Sequence, residues 1–367
     1  MSRPGFVPVS EPDIGELEVR YVTEAVRSGW VSSIGPFVER FEADFARFCG
    51  VKHAIAVSNG TTALHVALLA LGLGPGDEVI IPDLTFVATG NAVLYCRAKP
   101  VLVDVSADTW CMNPAEVERA ITPRTKVILP VHLYGHPADM NAILALAMPR
   151  GIAVLEDAAE AHGAKCRGMV VGGIGDIGCF SFYGNKILTT GEGGMVTTND
   201  DHLAARVRFL KDHAMDPKRR YFHPEVGYNY RMTNVQAALG CAQLERADEL
   251  LAKRRRVMEA YRQELGGLEG VQLNPHAPWA DPVPWMVCLV QDRIPTDVLV
   301  ARLRDQGIDT RPFFVPMHEL PAFCSDGLVT AAVADRLGSS GVNLPSSPRA
   351  ELGDCRRIAA TVREVLQ

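Results

Sequence analysis

Phe180-Ser181-Phe182-Tyr183-Gly184-Asn185-Lys186-Ile187-Leu188-Thr189-Thr190-Gly191-Glu192-Gly193-Gly194 is the stretch on which the reading of this chain turns. An aromatic, β-favouring run leads up to one lysine, and glycines that permit a tight turn follow it. Upstream, Val154-Leu155-Glu156-Asp157 has the make-up of a buried strand that ends in a carboxylate. Taken singly these are common features, because most lysines are solvated surface charges and acidic residues often end strands. Their weight comes from what surrounds them.

Between residues 50 and 200, short apolar runs alternate with helical patterns. The runs 53–57, 78–81, 100–105, 126–131 and 152–156 are rich in Val, Ile and Leu and lack clean polar alternation. That suits a mostly parallel sheet covered on both faces. Helical spacing over 61–71, 85–97 and 138–149 supplies the covering layers of an α/β domain. From 232 to 265 the chain predicts one long helix or two broken ones. A strand at 285–290, a helix at 296–306 and a closing helix at 354–366 then predict a smaller unit. At 367 residues the chain is too long for one small core, and the expected division is 1–250 and 251–367.

A net charge of -6 argues against non-specific nucleic-acid binding. The longest strongly apolar stretch, 63–73, is interrupted by His65 and is too short to span a bilayer. The first residues, Met1-Ser2-Arg3-Pro4-Gly5, lack the apolar core of a secretory signal. Nine scattered cysteines without a C-x-x-C pair fit reduced thiols better than a disulfide frame or a zinc site. The expectation is a cytoplasmic protein with no membrane, nucleic-acid or metal partner.

Ser58-Asn59-Gly60-Thr61-Thr62-Ala63-Leu64 follows a strand and opens a helix. There a glycine lets the backbone approach an anion, and free first-turn N–H groups with Thr hydroxyls donate to it. A cofactor phosphate suits the place, although alone the stretch reads more readily as a helix cap. Phe86, at another strand-to-helix junction, can lie flat on a planar ring or simply fill the core. Gly173-Ile174-Gly175-Asp176-Ile177-Gly178 matches the dinucleotide fingerprint literally, and Gly72-Leu73-Gly74-Pro75-Gly76 comes close. Neither follows a strand and opens a helix, so both read as turns. A lysine able to hold an aldehyde as an imine and an aspartate able to keep a pyridine nitrogen protonated are the two parts that pyridoxal phosphate chemistry needs.

Taken together, S-N-G-T-T-A-L at 58–64, Thr85-Phe86, E-D-A-A-E-A-H-G-A at 156–164, F-S-F-Y-G-N-K at 180–186 and T-T-G-E-G-G-M at 189–195 resemble the fold-type I, pyridoxal phosphate-dependent nucleotide-sugar aminotransferases of the DegT/StrS group. The likeness runs in register from about Trp30 to the end of the chain. It implies a large domain with a mostly parallel sheet flanked by helices and a smaller C-terminal α+β domain. It also implies roles. Lys186 would hold the cofactor aldehyde and shuttle the proton, and Asp157 would pair with the pyridine nitrogen. Phe86 would stack on the ring, while Gly60, Thr61 and Ser181 would hold the phosphate. Asn229 would reach that phosphate from the partner subunit of a homodimer with shared active sites. Glu160 would lie near the ring, in a role left open. Arg231, Arg311 and His318 would face the nucleotide-sugar, and Trp30 with Ser33 would line the sugar pocket. For each of these an ion pair or solvation is an equal alternative.

Met215-Asp216-Pro217-Lys218-Arg219-Arg220-Tyr221 and Val226-Gly227-Tyr228-Asn229-Tyr230-Arg231-Met232-Thr233-Asn234 look most like the group's members that aminate the 4-keto carbon of GDP-4-keto-6-deoxy-D-mannose. An amino acid, L-glutamate, is the expected donor. Amination of a dTDP- or UDP-linked keto-sugar at C3 or C4, or of a keto-cyclitol, remains open, because the sugar pocket is not legible in the sequence. A dehydratase on the same fold would carry histidine at the position of Lys186. A regulatory relative without catalysis is disfavoured by the intact Lys186, Asp157 and Ser181 set. Of two basic runs able to attract a diphosphate, 218–220 and 253–256, the second is expected to be a solvated helix face.

Overall fold

The computed structural model describes residues 6–323 and 331–367. Its first nine strands are β1 (His53–Val57), β2 (Glu78–Pro82), β3 (Lys99–Val103), β4 (Thr125–Ile128), β5 (Ala153–Asp157), a short pair β6 (Lys165–Cys166) and β7 (Met169–Val170), then β8 (Ile177–Ser181) and β9 (Gly194–Thr198). Seven of them form one sheet in the order β1-β9-β8-β5-β4-β2-β3. Every residue of β2, β8 and β9 is buried, which is why these runs show no polar alternation. Only β9 runs against the others, pairing antiparallel with both β1 and β8. The chain leaves β8, passes through the Lys186 turn and comes straight back as β9. That turn therefore lies at the carboxyl ends of the parallel strands, where open α/β sheets place their ligands.

The α/β reading holds, with shifts at element ends. The helix expected over 85–97 is Ala88–Tyr95, and Arg97 takes a left-handed φ of 59° just beyond it. The helix expected over 138–149 is Met140–Ala147, started by Asp139, whose carboxylate accepts the Ala142 N–H at 3.2 Å. The 232–265 pattern resolves into two helices, Asn234–Glu245 and Ala247–Leu265. They break at Arg246, whose guanidinium is tied to Asp13 at 2.9 Å and Glu18 at 2.8 Å.

The remaining strands are β10 (Val271–Leu273), β11 (Ala280–Asp281), β12 (Val287–Gln291), β13 (Arg311–Pro312) and β14 (Gly341–Leu344). A second, antiparallel sheet has the order β10-β12-β14-β13, and β11 joins β6 and β7 in a small ribbon. Val287, Leu289, Val342 and Leu344 of this sheet pack with Leu299, Leu303, Ile358 and Val362 from its helices in a separate core. The helix Ala247–Leu265 serves both cores, Leu250 and Leu251 in the first and Val257 and Tyr261 in the second. The N-terminal segment is stitched to the second unit, with the Val7 N–H donating to Gly307 O at 2.8 Å and the Asp309 N–H donating back to Val7 O at 2.9 Å. Among the described residues no helix is long and apolar enough to cross a membrane.

The basic run 253–256 departs from its reading as a solvated face. Lys253 pairs with Asp13 and Glu249, each at 2.6 Å, and Arg255 reaches Asp281 at 3.3 Å. Arg254 is only 2% exposed. A period of 3.6 residues necessarily turns one member of such a run inward.

Candidate active site

At the end of β1 the chain turns into the helix Gly60–Ala70. Asn59 caps it, accepting the Thr62 N–H at 2.9 Å, while the Thr62 hydroxyl accepts the Asn59 N–H at 3.1 Å. The N–H groups of Gly60 and Thr61 fall in the first turn, outside the helix's own ladder, and both residues line the pocket. This helix end is pressed against the sheet. A methyl on Gly60 would lie 2.8 Å from Ser181 Cβ, and one on Gly194 would lie 2.3 Å from Asn59 O. Only glycine at both places lets the helix end, β8 and β9 meet, which brings the Ser181 hydroxyl to the helix N-terminus.

Asp157, the last residue of β5, is 5% exposed. Its carboxylate accepts the Thr89 hydroxyl at 2.9 Å and the Ala159 N–H at 3.2 Å. Burial raises it above the usual carboxylate range, against those two bonds and the nearby Lys186 charge. Lys186 has a side chain 11% exposed and its Nζ 3.3 Å from Glu160 Oε1. Burial lowers the amine, while Glu160 and Asp157 raise it. Glu160 is itself raised by burial, with Lys186 acting the other way, and its second oxygen accepts the Tyr134 N–H at 2.8 Å. The result is an amine whose hold on its proton is weakened by burial and supported by two buried acids.

A cavity of about 510 Å³ joins these groups, lined by Gly60, Thr61, Phe86, Asp157, Glu160, Ser181 and Lys186 among others. Phe86 is 53% exposed, so its ring faces the cavity instead of filling the core. Arg311, alone of the substrate-side candidates, also lines it. Trp30, Ser33, Asn229, Arg231 and His318 stand outside the cavity within one chain. Trp30 and Asn229 are exposed, and Arg231 is paired with Asp212. His318 is held between two carboxylates, Nδ1 2.7 Å from Asp83 and Nε2 3.4 Å from Asp335. Both ring nitrogens face carboxylates there. The basic run 218–220 also lies outside, with Arg219 over the Phe222 ring and Arg220 over Tyr221.

Two residues here escaped the sequence reading. Thr89, which donates to Asp157, sits one helical turn after Thr85, and the T-F-V-A-T spacing at 85–89 was its available signal. Trp285 lies under the Lys186 amine, with its ring centroid 3.6 Å from Nζ, and carries no local signal because it comes 99 residues later in the chain.

This set fits pyridoxal phosphate. A helix end with a neighbouring hydroxyl receives a phosphate, an open aromatic face receives a flat ring, a buried carboxylate suits a protonated ring nitrogen, and a buried amine suits an aldehyde. The cradle at Gly60, which a single Cβ would fill, is the most specific part of that fit.

Comparison with known proteins agrees. A family model described as the DegT/DnrJ/EryC1/StrS aminotransferase family matches residues 12–363. A protein of Caulobacter vibrioides named GDP-perosamine synthase is 49% identical over 98% of this chain and 98% of its own. One of the same name from Escherichia coli O157:H7 is 45% identical over 94% of each. A putative sugar aminotransferase of Streptococcus pneumoniae, solved in its PLP form, superposes with a TM-score of 0.93 at 26% identity, covering 98% of each chain.

Proposed function

Because the chain belongs to the DegT/DnrJ/EryC1/StrS aminotransferase family and is a pyridoxal phosphate-dependent sugar aminotransferase, we propose that it moves the amino group of L-glutamate to the 4-keto carbon of GDP-4-keto-6-deoxy-D-mannose, giving GDP-perosamine. The observation that carries the reading is the meeting, in one cavity, of a buried amine, a buried carboxylate and a glycine-built anion cradle. The GDP-sugar as substrate rests on near full-length similarity to proteins named for that product.

Bound pyridoxal phosphate supplies the electron sink that lets an amino acid give up its α-proton. The chain's own residues do the rest. Gly60, Thr61 and Ser181 would hold the phosphate, and Phe86 would offer its face to the ring. Asp157, anchored by Thr89, would hold a proton on the ring nitrogen. Lys186 would hold the cofactor aldehyde and, as a free amine, would serve as the base that takes up and returns the substrate proton. Glu160 keeps the amine close. Arg311 meets the nucleotide-sugar from within the cavity, while Asn229, Arg231, Trp30 and Ser33 complete the site across a subunit boundary. The working unit is thus a cytoplasmic homodimer with shared sites and with units 1–250 and 251–367 in each chain.

The test offers GDP-4-keto-6-deoxymannose and dTDP-4-keto-6-deoxyglucose side by side, with glutamate as donor. The GDP sugar is expected to be aminated about 100-fold faster in kcat/KM, a difference of roughly 2.7 kcal/mol. Exclusive use of the dTDP sugar overturns the substrate, and full activity from a monomer by light scattering overturns the shared sites.

A further inference from the structure

We propose that Trp285 is a further active-site residue, the face on which the Lys186 amine rests whenever it carries a proton, and that Arg254 positions both residues. This rests on the aminotransferase reading above and concerns how the second sheet's end of the molecule controls the lysine.

Nζ lies 3.6 Å from the Trp285 ring centroid, and Glu160 Oε1 lies 3.3 Å from the same nitrogen. The ring itself is fixed. Its indole N–H donates to Asn185 O at 2.8 Å, the carbonyl next to Lys186 in the chain, and Tyr134 stacks on it at 6.1 Å and 17°. Arg254 ties the arrangement together from behind. One guanidinium nitrogen, Nη1, donates to Trp285 O at 2.7 Å and Ser346 O at 2.9 Å, and Nη2 donates to Lys186 O at 3.3 Å. A planar, rigid fork joins three separate chain segments here, a geometry that a lysine head cannot reproduce. Arg254 acts only through its neighbours and is a positioning residue.

A ring face attracts an ammonium and gains nothing from a neutral amine, and the attraction is strongest where water is excluded. Trp285 therefore works with Glu160 and Asp157 in favour of the charged amine, against burial, which favours the neutral one. Arg254, Arg311, Glu192, Tyr183 and His162 also lie around it, and His162 is pushed down to about 3 by burial and so stays neutral. Trp285 sets how firmly Lys186 keeps its proton while detached from the cofactor.

The measurement is the rate at which cofactor-stripped protein recombines with pyridoxal phosphate, followed by visible absorbance as a function of pH. Only the neutral amine reacts, so the midpoint of this profile reads Lys186 without turnover. Trp285→Leu is expected to move the midpoint down by about one to one and a half pH units, and Trp285→Phe by about half a unit. Arg254→Met should move it in the same direction and add little to Trp285→Leu, because both act on one amine. An unchanged or raised midpoint in folded Trp285→Leu or Trp285→Phe protein, checked by circular dichroism, overturns the proposal. Additive shifts remove Arg254 from it. If the parent protein itself fails to react with pyridoxal phosphate, the aminotransferase reading falls instead.

Discussion

Glu156 and Asp157 are adjacent carboxylates on β5, both buried, and they face opposite sides of the sheet. Behind the strand, Glu156 accepts the N–H groups of Gly172, Ile174 and Gly175, each at 2.7 Å, and lies 3.0 Å from His132 Nε2. His132 Nδ1 accepts the Ala138 N–H at 3.0 Å, so the ring's proton sits on Nε2 and goes to Glu156. The literal dinucleotide pattern at 173–178 thus cradles an internal carboxylate, with the turn chemistry used elsewhere for phosphates. In front, Asp157 has two donors and a cavity. A saturated carboxylate is a structural part, whereas an under-supplied one in the same strand is ready to take a cation from a ligand.

The front face breaks most completely at Lys186. Lys186→Ala is expected to abolish turnover, by more than about 1,000-fold, and to remove the visible absorbance of bound cofactor while the thermal midpoint of cofactor-free protein stays put. Retained turnover would remove the assignment. Next comes the pair itself. Asp157→Asn should lower kcat by about 100-fold without loss of stability. Glu156→Gln should cost about 2–4 kcal/mol of stability while sparing activity per folded molecule, because its amide confronts N–H donors with more N–H. Equal effects on melting and turnover in the two variants would erase the contrast.

Asp157 also sharpens it through pH. Burial raises its folded-state pKa above the usual 3.8, so the folded, cofactor-stripped chain binds that proton to higher pH than the unfolded chain does. Stability from this group is present at low pH and is lost as pH rises through the folded value. Cofactor-stripped Asp157→Asn should therefore melt above its parent at neutral pH, by a margin that shrinks in acid. The smallest effect belongs to the cradle. Gly60→Ala puts a methyl 2.8 Å from Ser181 Cβ and should weaken cofactor binding by about 10-fold in an equilibrium titration, or about 1.4 kcal/mol.

Short-range features were largely legible. The strand at 53–57, the cap at Asn59, the buried run ending at Asp157 and the lysine turn all declare themselves within a dozen residues. Element ends were less so, because the helix after Phe86 starts only at Ala88 and the 232–265 pattern breaks where distant acids hold Arg246. The ion pairing of His318 and the burial of Arg254 were not legible for one reason. Their partners, Asp83 for the first and the carbonyls of Trp285, Ser346 and Lys186 for the second, come from other parts of the chain.

The amino-acid sequence alone determined the α/β class and singled out the lysine, the aspartate and the glycine-led helix end that meet in the cavity, because periodicity, capping and turn chemistry act over a few residues. Tertiary structure alone decided which carboxylate faces the cavity, what lies beneath the Lys186 amine and how a buried arginine is used. Those outcomes depend on burial and on contacts between residues far apart in the chain, which no local pattern encodes.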